Sequence, residues 1–266
     1  MGQAGRKIEN RKKAKKILTN LINDSEHVLV IHYSCERLDP PANGSSARIT
    51  SIAVRNLYSG QTRSFSIHLM AEREKYPIAV IDEKYNDLEK LMLREFFGYV
   101  REHSGYKWLH WNMRDVSYGF QALAHRFQAL GGKPVEIPED KLFDLSKLLS
   151  EIYGNNYIGH QRLPNIIEKN NITKKDFLAG VDEVKAFENK EYVKLHLSTL
   201  RKVSAIASLV ERVEDNTLIT NAKPFEIYGD NIQAFVEWTQ ENTIAKLIAL
   251  IITIVGLVSA IISFLK

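Results

Sequence analysis

The chain has 266 residues, of which 44% are apolar and 26% are charged, and it contains one cysteine. This length and apolar fraction suit one large domain or two small ones with a real core, and they exclude a disordered, collagen-like or coiled-coil chain. Because Cys35 is the single cysteine, a scaffold held together by internal disulfides is also excluded, and a reducing compartment is favoured.

The basic charge is concentrated at the N-terminal end. The net charge is +4, but residues 1–16 alone carry +6, since they contain one acidic residue, Glu9, beside seven basic ones. The basic residues are Arg6, Lys7, Arg11, Lys12, Lys13, Lys15 and Lys16. Apolar residues recur at helical spacing from Ala14 to Ile22, so we predict a basic amphipathic helix over residues 1–24. Three roles stay open for it: contact with anionic lipid, contact with nucleic-acid phosphate, or capping of the domain with its charges in solvent.

Residues 25–215 show the pattern of an α/β domain. Three strands come first, at 27–36, 48–56 and 65–69, and the turn signals between them predict an antiparallel meander. Helices and strands then alternate: a helix at 82–103, a strand at 106–112, a helix opened by Asp115, a strand at 135–137, and helices at 143–153, 163–169 and within 174–213. This order predicts an α/β fold with a mixed sheet of about five strands flanked by helices.

The C-terminal end carries a long apolar segment. Residues 247–265 are 19 uncharged residues, which as a helix would extend about 28 Å, close to the thickness of the hydrocarbon core of a membrane. A buried core helix is the alternative, but such helices usually keep a polar stripe. We therefore predict a transmembrane anchor at 243–266, preceded by a juxtamembrane connector at 216–242. Its position predicts a single-pass tail anchor with the N-terminal domain in the cytoplasm, and the small residues Gly256 and Ala260 would permit self-association.

The order of these elements and several residues at their joints, over residues 27–213, resemble the DEDD 3′–5′ exonucleases of the ribonuclease H-like superfamily. Those enzymes carry Asp-x-Glu at the end of the first strand, where this sequence has Ser34-Cys35-Glu36. They carry a turn that leads to an Asp after the fourth strand, where this sequence has His-Trp-Asn-Met-Arg-Asp at 110–115. Their final His-x-Ala-x-x-Asp is similar to Phe-Leu-Ala-Gly-Val-Asp at 177–182.

The resemblance implies a metal-dependent 3′–5′ exonuclease. Such enzymes hold two divalent cations with oxygen ligands, one of which activates the attacking water. The catalytic residues so implied are Glu36, Asp115, Asp182 and His110. The metal ligands for Mg²⁺ or Mn²⁺ would be Glu36, Asp115 and Asp182. The residues that would contact nucleic acid or another ligand are Ser34, Asn112 and Arg114.

Two positions depart from the pattern of the family. Ser34 stands where an Asp would bridge both metals, and Phe177 stands where a His would position the water. A serine hydroxyl is a weaker ligand for Mg²⁺, and phenylalanine cannot accept a proton, so the resemblance leaves catalysis open. Asp115 also fits a plain helix N-cap, and Asp182 fits the solvated face of a charged segment.

Three functions therefore remain after the sequence alone. The first is a membrane-tethered exonuclease that acts on nucleic acid. The second is a catalytically inactive, membrane-anchored protein that binds nucleic acid or a protein partner in the former nuclease cleft. The third is a membrane-localised adaptor that recruits partners through its helices.

Overall fold

A five-stranded mixed sheet forms the centre of the fold, with strand order β3-β2-β1-β4-β5. The computed structural model describes residues 3–37, 46–223, 227 and 243–264. Its strands are β1 (Val28–Cys35), β2 (Ile49–Asn56), β3 (Thr62–Ser66), β4 (Lys107–His110) and β5 (Leu142–Asp144). β2 pairs antiparallel with β1 and β3, whereas β4 pairs parallel with β1 and β5. The predicted mixed sheet of about five strands flanked by helices is confirmed.

β1 is the central strand, and every one of its residues is buried. Its sequence begins with the apolar run Val-Leu-Val-Ile, which is typical of a strand covered on both faces. Among the helices, α8 packs against β1 and β2, and α3 packs against β2 and β3. The helices are α1 (Gln3–Asn23), α2 (Ile67–Arg73), α3 (Tyr85–Glu102), α4 (Phe120–Ala129), α5 (Leu145–Tyr153), α6 (Arg162–Lys169), α7 (Gly180–Glu188), α8 (Tyr192–Glu214) and α9 (Thr243–Phe264).

Two predicted strands differ from the observed ones. The third strand ends at Ser66, and α2 begins at Ile67, because Ile67, Met70 and Ala71 are buried at helical spacing. The fifth strand lies at Leu142–Asp144 instead of 135–137. The segment 135–137 has no regular secondary structure, although Val135 packs against the core.

The helix predicted to open at Asp115 begins later, at Phe120, with Gly119 in the N-cap position. Asp115 instead accepts the backbone N–H of Ser117 at 2.8 Å and closes a local turn. A Cβ atom on Gly119 would lie 2.7 Å from the carbonyl oxygen of Met113, so a side chain would force this turn apart. The helix ends as its sequence predicts, at a glycine, since Gly131 adopts a φ of +72°.

The predicted N-terminal helix is present as α1, and its apolar stripe is buried at Ile8, Ala14, Leu18 and Leu21. Arg11 lies on the same stripe, 3% exposed, and its Nε donates to the carbonyl oxygen of Ile152 at 3.0 Å. Arg11 is therefore not part of the exposed basic surface.

The chain divides into two compact units. One comprises Met1–Lys16, Leu149–Ile158 and Asn221–Lys266, and the other comprises Ile17–Leu148 and Gly159–Thr220. Most of the predicted connector at 216–242 lies outside the described residues. Over the part of the chain that the structure describes, no helix is both long enough and apolar enough to cross a membrane.

A buried ion pair joins α3 to α4. Glu89 is fully buried, and its carboxylate accepts Arg126 Nε at 3.0 Å and Nη2 at 2.5 Å. It also accepts the backbone N–H of Ile49 at 2.6 Å, at the start of β2. Burial raises the pKa of Glu89, and the bonds from Arg126 oppose this rise. Arg126 is therefore the partner that lets Glu89 stay charged inside the protein.

The substitution Arg126→Met should destabilise the fold by about 3 kcal/mol, since it leaves a buried carboxylate without its cation. Urea unfolding followed by circular dichroism measures this change in the free energy of unfolding. Arg94→Met is the control, because Arg94 is an exposed arginine of α3, the helix that carries Glu89. Equal decreases in the free energy of unfolding of the two variants would show that the Glu89–Arg126 pair does not stabilise the fold more than an exposed arginine does.

Candidate functional site

Six of the seven residues implied by the resemblance lie at or after the carboxyl ends of β1 and β4, and the seventh, Asp182, lies on α7. β1 and β4 run side by side in parallel, from Val28 opposite Lys107 to Ile31 opposite His110. The first and fourth strands are therefore neighbours in the sheet, but Glu36 and Asp115, which follow them, line different cavities. In open α/β sheets, this carboxyl edge is where ligands bind.

Ser34, near the end of β1, lies in a fully buried polar network. Its hydroxyl donates to Glu183 Oε1 at 2.6 Å and contacts Thr199 Oγ1 at 2.8 Å. Ser51, which pairs with Ser34 across β1 and β2, contacts the same Thr199 oxygen at 2.7 Å. These three hydroxyl groups and one carboxylate link β1, β2, α7 and α8.

The charge of Glu183 is balanced by Lys202 of α8. The Lys202 ammonium lies 2.7 Å from Glu183 Oε2, and the two side chains are 6% and 8% exposed. The same ammonium lies 5.2 Å from the centre of the Phe177 ring. Both oxygens of Glu183 therefore have a partner inside the protein, a hydroxyl on one side and an ammonium on the other.

The carboxylate that α7 directs towards β1 is thus Glu183, one residue beyond the predicted Asp182. Glu183, Ala186 and Phe187 are the buried residues of α7, at the i, i+3, i+4 spacing of one helix face. Asp182 lies on the exposed face of the first turn. The sequence contained this signal, because the apolar spacing of α7 selects Glu183 and not its neighbour.

Glu36 lies in a separate, half-buried ion cluster. It accepts Arg37 Nη2 at 2.8 Å and Arg48 Nε at 3.3 Å. Burial alone would raise its pKa, but the hydrogen bonds from these two arginines hold the pKa of Glu36 below its ordinary value. Glu36, Arg48 and Phe187 line a cavity of about 550 Å³.

Asp144, at the end of β5, organises the polar side chains after β4. Its Oδ1 accepts the backbone N–H groups of Asn112 at 3.2 Å and Ser146 at 2.9 Å. Its Oδ2 forms an ion pair with Arg114 Nε at 2.6 Å. Arg114 also donates to Asn112 Oδ1 at 3.3 Å. Sequence reasoning missed Asp144, although its place immediately before α5 is typical of a capping residue.

The surroundings of His110 determine its charge and which of its ring nitrogens carries the proton. It is 2% exposed, and burial lowers its pKa to about 4, assisted by Arg114 and opposed by Asp144. Its Nδ1 accepts the backbone N–H of Met113 at 3.2 Å, so the proton of the neutral ring lies on Nε2. His110 is therefore a hydrogen-bond donor at neutral pH.

A cavity of about 640 Å³ opens beside these residues and is lined by His110, Arg114, Asp115 and Asp144. Its apolar walls include Phe96, Phe97, Phe120, Leu123, Val135 and Ile137. Asp115 lies on the exposed side, where its carboxylate accepts the Ser117 hydroxyl at 2.6 Å. The bonds from Ser117 lower the pKa of Asp115. The cavity has a size and composition typical of a small-molecule site.

The residues present do not fit the two-metal centre that the resemblance implies. The Ser34 hydroxyl already donates a hydrogen bond to Glu183, whose charge is balanced by Lys202. Glu36 is paired with arginines in another cavity. Among the residues described, no group of three or more His, Cys, Asp or Glu side chains is placed to hold a metal ion.

Comparisons with family models, curated proteins and solved structures return no match to this chain.

The burial of His110 should make the protein lose stability in acid. Its pKa of about 4 in the folded state lies below the usual value of 6.5, so between these values the unfolded chain binds a proton that the native protein does not. Stability falls as the pH drops from 6.5 to 4, by up to about 3 kcal/mol from this residue. Urea unfolding of wild type and His110→Asn at pH 7, 6, 5 and 4 measures the difference in slope.

His125→Asn is the control for this experiment, because His125 lines the same cavity with an exposed side chain. The wild type and His125→Asn should share one slope, and His110→Asn should show a flatter one. Identical slopes in all three proteins would contradict the assignment to His110.

Proposed function

We propose that this chain is a catalytically inactive relative of the exonucleases that it resembles, anchored to a membrane and binding a partner in the 640 Å³ cavity. One observation supports the proposed loss of catalysis. Glu36 and Asp115 line different cavities, and each is engaged by its own neighbours, Glu36 by two arginines and Asp115 by Ser117. Two carboxylates held in this way do not form a shared cation site.

The order of the elements supports the kinship. Three antiparallel strands are followed by two helices, a parallel strand, a helix, a second parallel strand and further helices. This is the order on which the resemblance rests. A shared order of elements bears on fold and not on reaction, so the inactive interpretation is compatible with it.

The chemistry of the cavity favours an apolar ligand over a nucleic-acid strand. Its charged lining residues are four carboxylates and two cations, namely Asp115, Glu136, Glu139, Asp144, Arg114 and Lys147. An excess of carboxylates repels a polyanion, whereas nucleic-acid sites carry an excess of Lys and Arg. Apolar walls and the Nε2–H of His110 instead suit a molecule with an apolar body and one oxygen acceptor.

The loss of catalysis is tested with the full chain in detergent micelles and end-labelled single-stranded DNA and RNA. In Mg²⁺ or Mn²⁺, we expect the wild type to shorten the strands no faster than the variant Asp115→Ala. Metal-dependent shortening by the wild type that disappears in both Asp115→Ala and Glu36→Gln would establish an active nuclease and overturn the proposal. Glu139→Ala is the control for a carboxylate outside the implied metal ligands.

The membrane anchor is proposed from α9 and its sequence. The structure describes side chains of α9 at 246–248 and 250–258. The large apolar ones are 49% to 66% exposed, namely Leu247, Ile248, Leu250, Ile251, Ile252, Ile254, Val255, Leu257 and Val258. Successive residues of a helix point about 100° apart, so apolar groups project on all sides. Over the side chains that the structure describes, this exposed apolar surface of α9 suits lipid.

We propose that the α/β domain then faces the cytoplasm with the exposed part of the basic helix near anionic lipid. Since the apolar stripe of α1 is buried, contact with lipid would use charge and not insertion, and would weaken in salt. The exposed basic residues are Arg6, Lys7, Lys12, Lys13 and Lys16, while Lys15 is half-buried.

Substitution of Ile252 and Val255 by Asp should release the protein from membranes. Two charges near the centre of the span cost about 3 kcal/mol each, so the expressed full chain should move from the carbonate-resistant pellet to the supernatant. Val181→Asp is the control, because Val181 is a 65% exposed apolar residue of α7. Retention of the double variant in the pellet, with Val181→Asp unchanged, would contradict the anchor.

A further inference from the structure

The buried network at the end of β1 has the composition of a cation site. Glu183 supplies a carboxylate, and Ser34, Ser51 and Thr199 supply three hydroxyl oxygens, joined by contacts of 2.6 to 2.8 Å. All four residues are buried, with exposures between 0% and 6%. A carboxylate oxygen is a preferred ligand of Mg²⁺ and Mn²⁺, and hydroxyl oxygens are weaker ones.

The cation present in this network belongs to the protein itself. The Lys202 ammonium reaches Glu183 Oε2 at 2.7 Å, while Oε1 of the same carboxylate accepts the Ser34 hydroxyl. A lysine ammonium is a compact point charge with three donors. It neutralises the carboxylate without any ion from solution. The aromatic ring of Phe177 lies 5.2 Å from the ammonium, on a side where a cation is also favoured.

We infer that Lys202 is an internal cation that supplies, next to Ser34 and Glu183, the positive charge that the resemblance would assign to a divalent metal. The inference rests on the proposed inactive state and explains how the site is neutralised. Ser34, at the position of a bridging Asp, contributes no charge, so one ammonium is enough to balance the one carboxylate of Glu183. The neutral side chain at position 34 and the single ammonium of Lys202 therefore fit each other. An Asp at position 34 together with Glu183 would carry two negative charges, one more than Lys202 can balance.

The matching of charges predicts which variants acquire metal affinity. Lys202→Met removes the ammonium and keeps the length of the side chain, and Ser34→Asp adds a second carboxylate. Calorimetric titration of the full chain in micelles with MnCl₂ should show one site in Ser34→Asp/Lys202→Met, at least about tenfold tighter than in the wild type. Mn²⁺ should also raise the melting temperature of this variant. Ser34→Asp alone, which keeps the ammonium, should bind no tighter than the wild type.

The outcomes separate this inference from the proposed function. If the wild type binds no Mn²⁺ and the folded double variant binds none either, the internal-cation assignment is wrong while the inactive state stands. If the wild type binds Mn²⁺ and loses it in Glu36→Gln and Asp115→Asn, the proposed function itself fails.

A second variant keeps the test decisive if the double variant does not fold. Lys202→Ala removes the ammonium that pairs with Glu183 and leaves space for a small cation. Methylammonium can occupy that space, so methylammonium chloride should raise the melting temperature of this variant more than the same concentration of sodium chloride. Lys194→Ala, at an exposed position of the same helix, is the matched control and should respond equally to both salts. An equal response of Lys202→Ala to the two salts would overturn the inference.

Discussion

The complete burial of β1 is the constraint on which the rest of the structure depends. A strand covered on both faces can keep a polar side chain only if that side chain finds a partner inside the protein, because an unpaired buried polar group is costly. Ser34 meets this requirement through Glu183 and Thr199. Glu183 in turn requires Lys202. The identity of one residue on β1 thus determines what two helices must present to it.

The same principle explains why the carboxylates of this edge do not converge. Glu36 follows a register shift between Ser34 and Cys35 in the pairing of β1 with β2, and it lies beside Arg48. Asp144 forms the ion pair with Arg114, and both residues line the same cavity as His110. Each acidic group is satisfied by its nearest basic or N–H partner. The edge therefore contains several small, separately paired clusters in place of one strongly negative centre.

The central elements could be predicted from the sequence, because their signals are long or repeated. The apolar run of β1 indicates a buried strand, and the helical spacing of the apolar residues of α3 indicates a helix. The predictions were wrong where two neighbouring segments or residues fit the sequence pattern almost equally well. Leu142 and Val135 both lie in short apolar runs, and only pairing with β4 selects the former. Asp182 and Glu183 differ by about 100° around α7, and only the packing of Ala186 and Phe187 against the core decides between them.

The two outer strands limit how this sheet can meet other proteins. β3 has five residues, of which the first two are exposed, and β5 has three. An outer strand with free backbone groups can recruit a strand from another chain, but short ones offer few such groups, and Arg63 adds a charge on β3. A visiting peptide would therefore gain few main-chain hydrogen bonds by extending the sheet. Recognition by strand addition is disfavoured, and partners are expected to contact side chains instead.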